Sequence, residues 1–599
     1  MSKNKLQKLE LTWIGKGDEP KLEPRILIEN PEYSYGDPTS ENILIHGDNL
    51  LALKALEQDF AGKIKCIYID PPFNTGQAFE FYDDNVEHSL WLSLMSRRIS
   101  ILYNLLDKNG MFWIHLDDVE VHYCKVLLDG IFTRSGFVSH ITYERSAVAG
   151  LGQGGYIVNT TEHILLYKKG ILPKKENLGY SDLELNTIKR YNKFVKNFGS
   201  KKLVREFVSK SNGQPVKVYE HLDYEIASYP LKDFAKREDE IRRFYANNLK
   251  VLFRGNRVQK ENAFQNDLID GMDKSKFYSV EYIPSRGKYE NETTTLYYYN
   301  SELLSWLADT SKVFDGKVVK SQKITSLWGH SDIPKADIAN EGGIYFPRGK
   351  KPEQLLKRII EMSTEPGDYV LDSFLGSGST AATAHKLGRK WIGIELGEQA
   401  TTHCVPRLKS IIKGSDQSGI SKAVNWQGGG GFKFYTLAPS LLREDKFGNW
   451  VISSEYNPDM LAAAMAKQEG FTYLPDEDKF WKQGNSSEND FIFTTTQFLT
   501  VETLDSIHAD MQEGESILIC CKAFQKECKS KYSNITLKKI PQMLLDRCEF
   551  GKDDYSLNIV NLPTEDVNNE DDLIDVLDNE SVQKIRDNKE IDNQGTLFE

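Results

Sequence analysis

From Asn42 to Leu116, short apolar runs alternate with stretches of helical spacing. Asn42 to His46 reads as a strand, the leucines between Asp48 and Leu56 recur at helical intervals, and Ile64 to Ile69 forms a second strand that stops at Asp70-Pro71-Pro72-Phe73. Leu90 to Leu106 predicts a helix, and Met111 to Leu116 and Ile164 to Tyr167 predict further strands. The alternation then lapses until about residue 340. It resumes with a helix over Pro352–Ser363, a strand over Tyr369–Phe374, a glycine-rich turn, a helix over Thr380–Leu387 and a strand over Trp391–Glu395. Such alternation belongs to a parallel sheet covered on both faces, here assembled from two separated stretches. Residues 1–40, with Pro20, Pro24, Pro31 and Pro38, read as an extended arm, and a mixed region follows the glycine run Gly428 to Gly431.

The chain has 599 residues, enough for roughly four domains at about 150 residues each. With 40% hydrophobic and 27% charged residues, wholesale disorder is excluded. No uninterrupted apolar run reaches the length of about 18 residues that a membrane span needs, and the first residues lack an apolar signal core. We therefore expect a cytoplasmic protein with no membrane association. The seven cysteines show no paired CxxC spacing, which fits a reducing compartment and predicts no zinc knuckle and no metal site. The net charge of -12 is unevenly spread: residues 564–599 carry 12 acidic and 3 basic side chains, whereas residues 168–260 carry 22 basic and 11 acidic. A basic segment within an acidic chain suits a phosphate backbone. Interleaved Tyr191, Phe194, Phe198, Phe244, Tyr245, Asn247 and Asn248 add an expectation of base stacking and amide contacts, against the plainer alternative of a solvated charged face.

Two motifs carry chemistry. Asp372-Ser-Phe374-Leu-Gly376-Ser-Gly378-Ser-Thr380 lies between a predicted strand and helix, where small residues let a ligand approach the backbone. Glu395 ends the next strand, placed to take the two hydroxyls of a ribose. No Gly-Lys pair in the chain is followed by Ser or Thr, which excludes a P-loop. The second motif is Asp70-Pro71-Pro72-Phe73. Consecutive prolines stiffen the turn and leave carbonyls with no competing N–H. The Asp70 carboxylate and the Pro71 carbonyl can accept both hydrogens of an exocyclic base amine, whose lone pair is otherwise delocalised, while Phe73 stacks on the base. No Pro-Cys dipeptide occurs, so carbon-5 cytosine methylation lacks its nucleophile.

With these residues the chain resembles the DNA amino-methyltransferases that use S-adenosylmethionine: Asp70 to Phe73 matches their catalytic motif and Phe374 to Gly378 their cofactor motif. The catalytic tetrapeptide precedes the cofactor turn by about 300 residues, an order that resembles the beta class. Asn42 to Leu53, Pro71 to Phe81, Thr161 to Lys168 and Gly428 to Leu437 are similar to the modification (Mod) subunits of Type III restriction-modification systems. Ser379 departs from the threonine of many relatives, and the basic insertion matches none of them residue by residue.

The resemblance implies an α/β fold: a circularly permuted Rossmann-like methyltransferase sheet with an inserted target-recognition domain and a C-terminal α+β domain. The expected divisions are an arm (1–40), the catalytic half of the core (41–167), the insertion (168–335), the cofactor half (336–425), a C-terminal domain for dimer or partner contacts (426–563) and an acidic tail (564–599). It implies catalytic roles for Asp70, Pro71, Pro72 and Phe73, and cofactor contacts from Asp48, Lys351, Pro352, Asp372, Phe374, Gly376, Gly378 and Glu395. Lys351 and Pro352 would border the methionine end of S-adenosylmethionine, and Asp48 its adenine. The implied activity is methyl transfer to N6 of adenine in double-stranded DNA by base flipping, in a homodimer that recruits a helicase-nuclease (Res) subunit. N4-cytosine methylation and a stand-alone adenine methyltransferase are the alternatives. A self-contained nuclease would need more than Asp476 to Lys479, whose acids crowd together, and the intact motifs weigh against a decayed core.

Overall fold

A computed structural model describes residues 10–72, 84–145, 157–172, 178–209, 212–258, 262–285, 290–314, 316–329, 333, 338–346, 349–545, 547–553 and 555. They divide into two compact units, Lys175–Thr325 and the chain on either side of it. Among the described residues no helix is long and apolar enough to cross a membrane.

In chain order the larger unit holds β1 (Leu27–Glu29), β2 (Ile43–His46), α1 (Asn49–Phe60), β3 (Ile64–Ile69), α2 (Asp84–Leu105), β4 (Leu106–Leu116), α3 (Val121–Phe132), β5 (Phe137–Glu144) and β6 (Thr161–Lys168). After the smaller unit come β7 (Leu327–Trp328), α4 (Glu353–Ser363), β8 (Tyr369–Asp372), α5 (Ser379–Lys386), β9 (Lys390–Glu395), α6 (Val405–Ile412) and β10 (Gly431–Leu437). Across the sheet the order is β1-β10-β2-β9-β8-β3-β4-β6-β5-β7. Neighbours from β10 to β4 run parallel, and β6 lies antiparallel between β4 and β5. The two separated stretches thus interleave in one sheet, as the alternation predicts.

Parallel strands covered on both faces must be apolar throughout. One core joins Ile67, Ile69 and Phe112 from the first stretch to Leu371, Ile392 and Ile394 from the second. Helix α1 begins where Asp48 accepts hydrogen bonds from the backbone N–H of Leu50 (2.9 Å) and Leu51 (3.0 Å), an N-cap that stabilises its first turn.

The structure moves three expected boundaries. The arm is not merely extended, because β1 pairs with β10 and Glu23 and Arg25 are buried. β10 itself belongs to the main sheet, so the C-terminal domain starts after Leu437 rather than at 426. The insertion is narrower than 168–335, since β6 and β7 both join the main sheet. In each case a strand needs a ladder partner and finds it in the main sheet.

The C-terminal region carries a five-stranded sheet in the order Thr472–Tyr473, Gly484–Ser487, Asp490–Leu499, Ser516–Phe524, Ile535–Lys539. Its last three strands are parallel, and the helix Val501–Asp510 connects two of them in a β-α-β unit. The helix Pro458–Glu469 docks on α1 by a hydrogen bond from Lys467 Nζ to the Ala55 carbonyl (2.6 Å). Asp476 is used locally, accepting from the N–H groups of Asp478 and Lys479 (2.9 Å each).

The smaller unit is built on an eight-stranded sheet whose strands all pair antiparallel. Here the aromatic expectation is corrected. Tyr191 and Tyr245 are buried in a core against which Phe194 and Phe244 pack, and Phe198 packs on a neighbouring one, so these rings fill the unit rather than stand ready for bases. Asn248 donates to the Phe244 carbonyl at the end of its helix (2.9 Å). Exposed charge instead lies on the strand Ser200–Val208, with Lys201 and Arg205 paired to Glu281 (3.0 Å) and Asp267 (3.4 Å).

Leu371 is fully buried where the two stretches meet. Leu371→Ala is expected to destabilise the sheet by about 2–5 kcal/mol, read as a lower urea midpoint followed by tryptophan fluorescence.

Candidate active site

β3 and β8 pair in parallel with Cys66 opposite Val370 and Ile67 opposite Leu371. Parallel neighbours end at the same edge, so Asp70, just past β3, and Asp372, the last residue of β8, emerge side by side.

Asp70 is pinned on one side only. Its Oδ2 lies 3.4 Å from Lys351 Nζ, while its buried Oδ1 has no hydrogen-bond partner among the described residues. Burial pushes the Asp70 carboxyl above its usual range, against the pull of Lys351 and His115 and with a further push from Glu162. The turn is anchored by the Pro72 carbonyl, which accepts from the Trp91 indole N–H (3.1 Å), and Pro71 is buried beside it. Phe73 lies outside the described residues.

Lys351 stands next to the Asp70 carboxylate. Its ammonium sits between Asp70 Oδ2 and Glu162 Oε2 (3.3 Å), on the catalytic strand's acid, and it is almost fully buried. Glu162 Oε2 is also 2.6 Å from His115 Nε2, and His115 Nδ1 is 3.0 Å from the Tyr68 hydroxyl. A carboxylate only accepts, so the proton on His115 Nε2 faces Glu162, while Nδ1 and the Tyr68 hydroxyl share the second hydrogen bond. Burial pushes Glu162 up, but His115 and Lys351 outweigh it and hold this carboxyl well below the usual range. Pro352 caps α4, its carbonyl accepting from Leu355 N–H (3.0 Å).

At the glycine turn, Gly376 (φ +56°) and Gly378 (φ +82°) adopt left-handed backbone that other residues disfavour. A Cβ on Gly376 would meet nothing within 4 Å, so the backbone there faces open space that a ligand can approach. Gly376 N–H donates to Glu395 Oε2 (2.7 Å) and Gly397 N–H to Oε1 (3.0 Å). Each carboxylate oxygen has a second lone pair, so Glu395 can still accept from two hydroxyls. Burial pushes its pKa up, against those two bonds. Asp372 accepts from Phe374 N–H (2.9 Å) and Thr380 Oγ1 (2.6 Å). Burial nevertheless pushes it to about 7, with Asp70 and Glu395 adding to the rise.

Beneath this turn lies a cluster that sequence reasoning missed. Arg407 donates to the Ser377 carbonyl (3.2 Å) and Ser379 Oγ (2.8 Å), and its other nitrogen pairs with Glu353 Oε1 (2.9 Å). Glu353 also receives Lys386 (2.8 Å), which reaches Asp416 (2.6 Å). His115 and Glu162 escaped notice too, although a polar side chain inside an apolar strand is a signal, because its burial demands a partner.

Asp48 is enclosed by the chain. Besides capping α1 through Oδ1, it accepts at Oδ2 from Tyr555 N–H (3.0 Å) and Arg98 Nη2 (3.4 Å). Both oxygens are thus engaged within the chain.

The model of the DNA methylase family matches residues 64–405. The chain belongs to this family. The match runs from the start of β3 to the start of α6 and takes in Asp70, Lys351, the glycine turn and Glu395, but not Asp48. Among curated proteins, the probable Type III restriction-modification enzyme HindVI Mod subunit of Haemophilus influenzae is 36% identical over 427 residues, covering 69% of this chain and 56% of that protein. The chain therefore spans little more than half of that relative's length. The Type II methyltransferase M.EcaI of Enterobacter cloacae is 26% identical over 445 residues, 72% of this chain and 81% of that protein. A putative DNA modification methylase from Thermus thermophilus, solved with S-adenosyl-L-methionine, covers 66% of this chain and 97% of its own at 13% identity and a TM-score of 0.29, too loose a likeness to carry argument.

Asp372 generates a pH prediction. A carboxyl raised to about 7 in the folded state, from an ordinary value of 3.8, binds more protons folded than unfolded between those limits. It thus removes stability as pH rises through that window. Asp372→Asn keeps an acceptor for Phe374 N–H and a donor for Thr380. The variant is expected to lose less stability than the parent between pH 4 and 7, measured by urea melts across that range.

Proposed function

We propose that the protein transfers a methyl group from S-adenosylmethionine to N6 of an adenine rotated out of duplex DNA, as the modification subunit of a Type III restriction-modification system. One observation carries this reading. A carboxylate with one oxygen pinned and the other unpartnered stands at a proline-stiffened strand end, next to the strand that leads into a glycine turn and a ribose-competent acid.

The cofactor supplies an activated methyl on a positively charged sulfur. The chain's own residues position the rest. Gly376 and Gly378 let the backbone lie close to the cofactor, Glu395 takes the ribose hydroxyls, and Phe374 and Asp372 shape the turn. Asp70 Oδ1 and the Pro71 carbonyl accept the two N6 hydrogens, which draws the lone pair out of the ring and towards the methyl carbon. Phe73 stacks on the flipped base. Transfer would form the nitrogen–carbon bond as the carbon–sulfur pair passes to sulfur, leaving S-adenosylhomocysteine, with one N6 proton released to water. Asp70 must be ionised to do this, so its raised pKa places the loss of activity on the acid side.

Adenine rather than cytosine is favoured by Asp at the head of the tetrapeptide and by the similarity to Type III Mod subunits. The unit Lys175–Thr325, with the basic excess of its first half, is the proposed DNA reader. A restriction-subunit partner is proposed from the similarity to Type III Mod subunits, and a homodimer from the family resemblance. The C-terminal region 438–563 and the acidic tail 564–599 are the proposed segments for those contacts.

The test is mass spectrometry of nucleosides from DNA methylated by the purified protein: N6-methyladenine supports the reading, N4-methylcytosine replaces the base, and no methylated nucleoside from DNA of varied sequence overturns it. Asp70→Ala is expected to lower transfer by at least about 10² while calorimetry shows cofactor affinity held within several fold. Replacing residues 175–325 by a short linker is expected to abolish sequence-specific protection of DNA, with cofactor binding retained; protection that survived would assign recognition elsewhere.

A further inference from the structure

Glu162 and His115 belong to neither motif, yet they stand behind Asp70 in an unbroken line of polar contacts. Tyr68 reaches His115 (3.0 Å), His115 reaches Glu162 (2.6 Å), Glu162 reaches Lys351 (3.3 Å) and Lys351 reaches Asp70 (3.4 Å). Four elements supply the line: β3 gives Tyr68, β4 His115, β6 Glu162, and the segment before α4 Lys351. His115 and Tyr68 are fully buried, Glu162 and Lys351 nearly so. Keeping an ammonium and a carboxylate out of water is costly unless each is paired on the spot. A sheet that only needed stability would fill these positions with apolar side chains, as it does around them at Ile67, Ile114 and Leu165.

We propose that Lys351 and Glu162 are positioning residues for methyl transfer: Lys351 holds Asp70 Oδ2 so that Oδ1 alone faces the substrate amine, and Glu162 divides Lys351's charge so that Asp70 stays a strong acceptor. This rests on the reading of Asp70 as the catalytic acid.

The two residues act on Asp70 with opposite sign. Lys351 stabilises its anion directly. Glu162 repels that anion and, by competing for Lys351, weakens the stabilising pair. His115, held on Glu162, adds a favourable interaction with the Asp70 anion, and Asp372 from β8 interacts unfavourably with it. Tyr68 on the same strand feels Asp70, and Arg145 reaches Glu162 from the far side at 4.0 Å. A carboxylate neutralised too fully by Lys351 is a poorer hydrogen-bond acceptor for the amine. One left without Lys351 is protonated more readily and free to turn. Shared by two acids, Lys351 gives a group that is oriented and still basic.

The pH profile of kcat for DNA methylation tests this, using the full-length protein and its duplex substrate. Lys351→Met is expected to lower kcat by about 10² through misplacement of Asp70 and to move the acid-side limb to higher pH, with cofactor KM little changed. Glu162→Gln, which keeps the size and one acceptor, is expected to move that limb to lower pH. Should Lys351→Met fail to fold by circular dichroism, Lys351→Gln carries the same expectation, and Lys351→Arg is expected to recover part of the rate. Opposed movement of the two limbs supports the proposal. Limbs that stay in place, or move the same way, overturn it. A rise in cofactor KM with kcat preserved in Lys351→Met would also overturn it and return Lys351 to the cofactor. The parent protein reports separately on the underlying reading, since its failure to methylate any DNA would sink that reading with no variant needed.

Discussion

Two strands separated by about 300 residues of chain, β3 and β8, must pair in parallel and in one register before any of this chemistry exists. Side chains alternate along a strand, so a slip of one residue would exchange the residues packed against the two helical layers and carry the strand-end acids out of line. The register is fixed by burial: Cys66, Ile67, Val370 and Leu371 all lie within the sheet's covered faces. Closing so long a loop costs only logarithmically more than closing a short one. A folded unit can therefore interrupt the sheet between β6 and β7 with little penalty to the pairing on which the site depends. Both flanking strands remain tied into the main sheet, by β4 and β5 respectively.

Buried charge plays two roles at this sheet edge, and the partner lists separate them. Around Glu353 nearly every position is filled: Lys386 and Arg407 approach its oxygens, and Ile420 N–H (3.1 Å) adds a further donor. With both Glu353 oxygens filled, Arg407 is held where it braces the Ser377 and Ser379 stretch of the glycine turn. Around Asp70 the network stops one partner short. An acceptor left unsatisfied in a buried place costs more than the net gain of an ordinary hydrogen bond. Fold stability alone gives no reason to keep it, whereas the substrate amine of the proposed reaction would supply the missing donor.

The sheet was legible in the sequence because apolar periodicity and strand-end motifs are local signals: β3, β8 and β9 were read from runs of five or six residues, and Asp70, the glycine turn and Glu395 from their positions against those runs. What failed to read was set by tertiary context. β1 contains only Leu27 to Glu29 and owes its strand state to β10, far away in sequence. Tyr191, Phe244 and Tyr245 looked like base-stacking rings because aromatic side chains serve cores and nucleic acids alike, and only burial distinguishes the uses. The side-chain partners of Lys351 did not read either. Its actual partners, Asp70 and Glu162, come from strands that no spacing along the chain connects to it.

Asp48 shows how the two halves of the site are braced. Helix α2 follows the catalytic turn and presents Arg98, whose guanidinium reaches both Asp48 and Asn49. Asn49 in turn donates through Nδ2 to the carbonyl of Ser373, at the start of the glycine turn (2.7 Å). A movement of α2 is therefore felt at the cofactor turn through two hydrogen-bonded side chains, with Asp48 fixing the start of α1 between them. Tyr555 closes the same cluster from the far end of the described chain, its N–H on Asp48 and its ring in the main core. An acid so enclosed would have to give up an N-cap, an arginine and a backbone donor to take a nucleoside. Glu395, on the neighbouring strand β9, carries fewer such ties, its oxygens each accepting one backbone N–H, from Gly376 and Gly397.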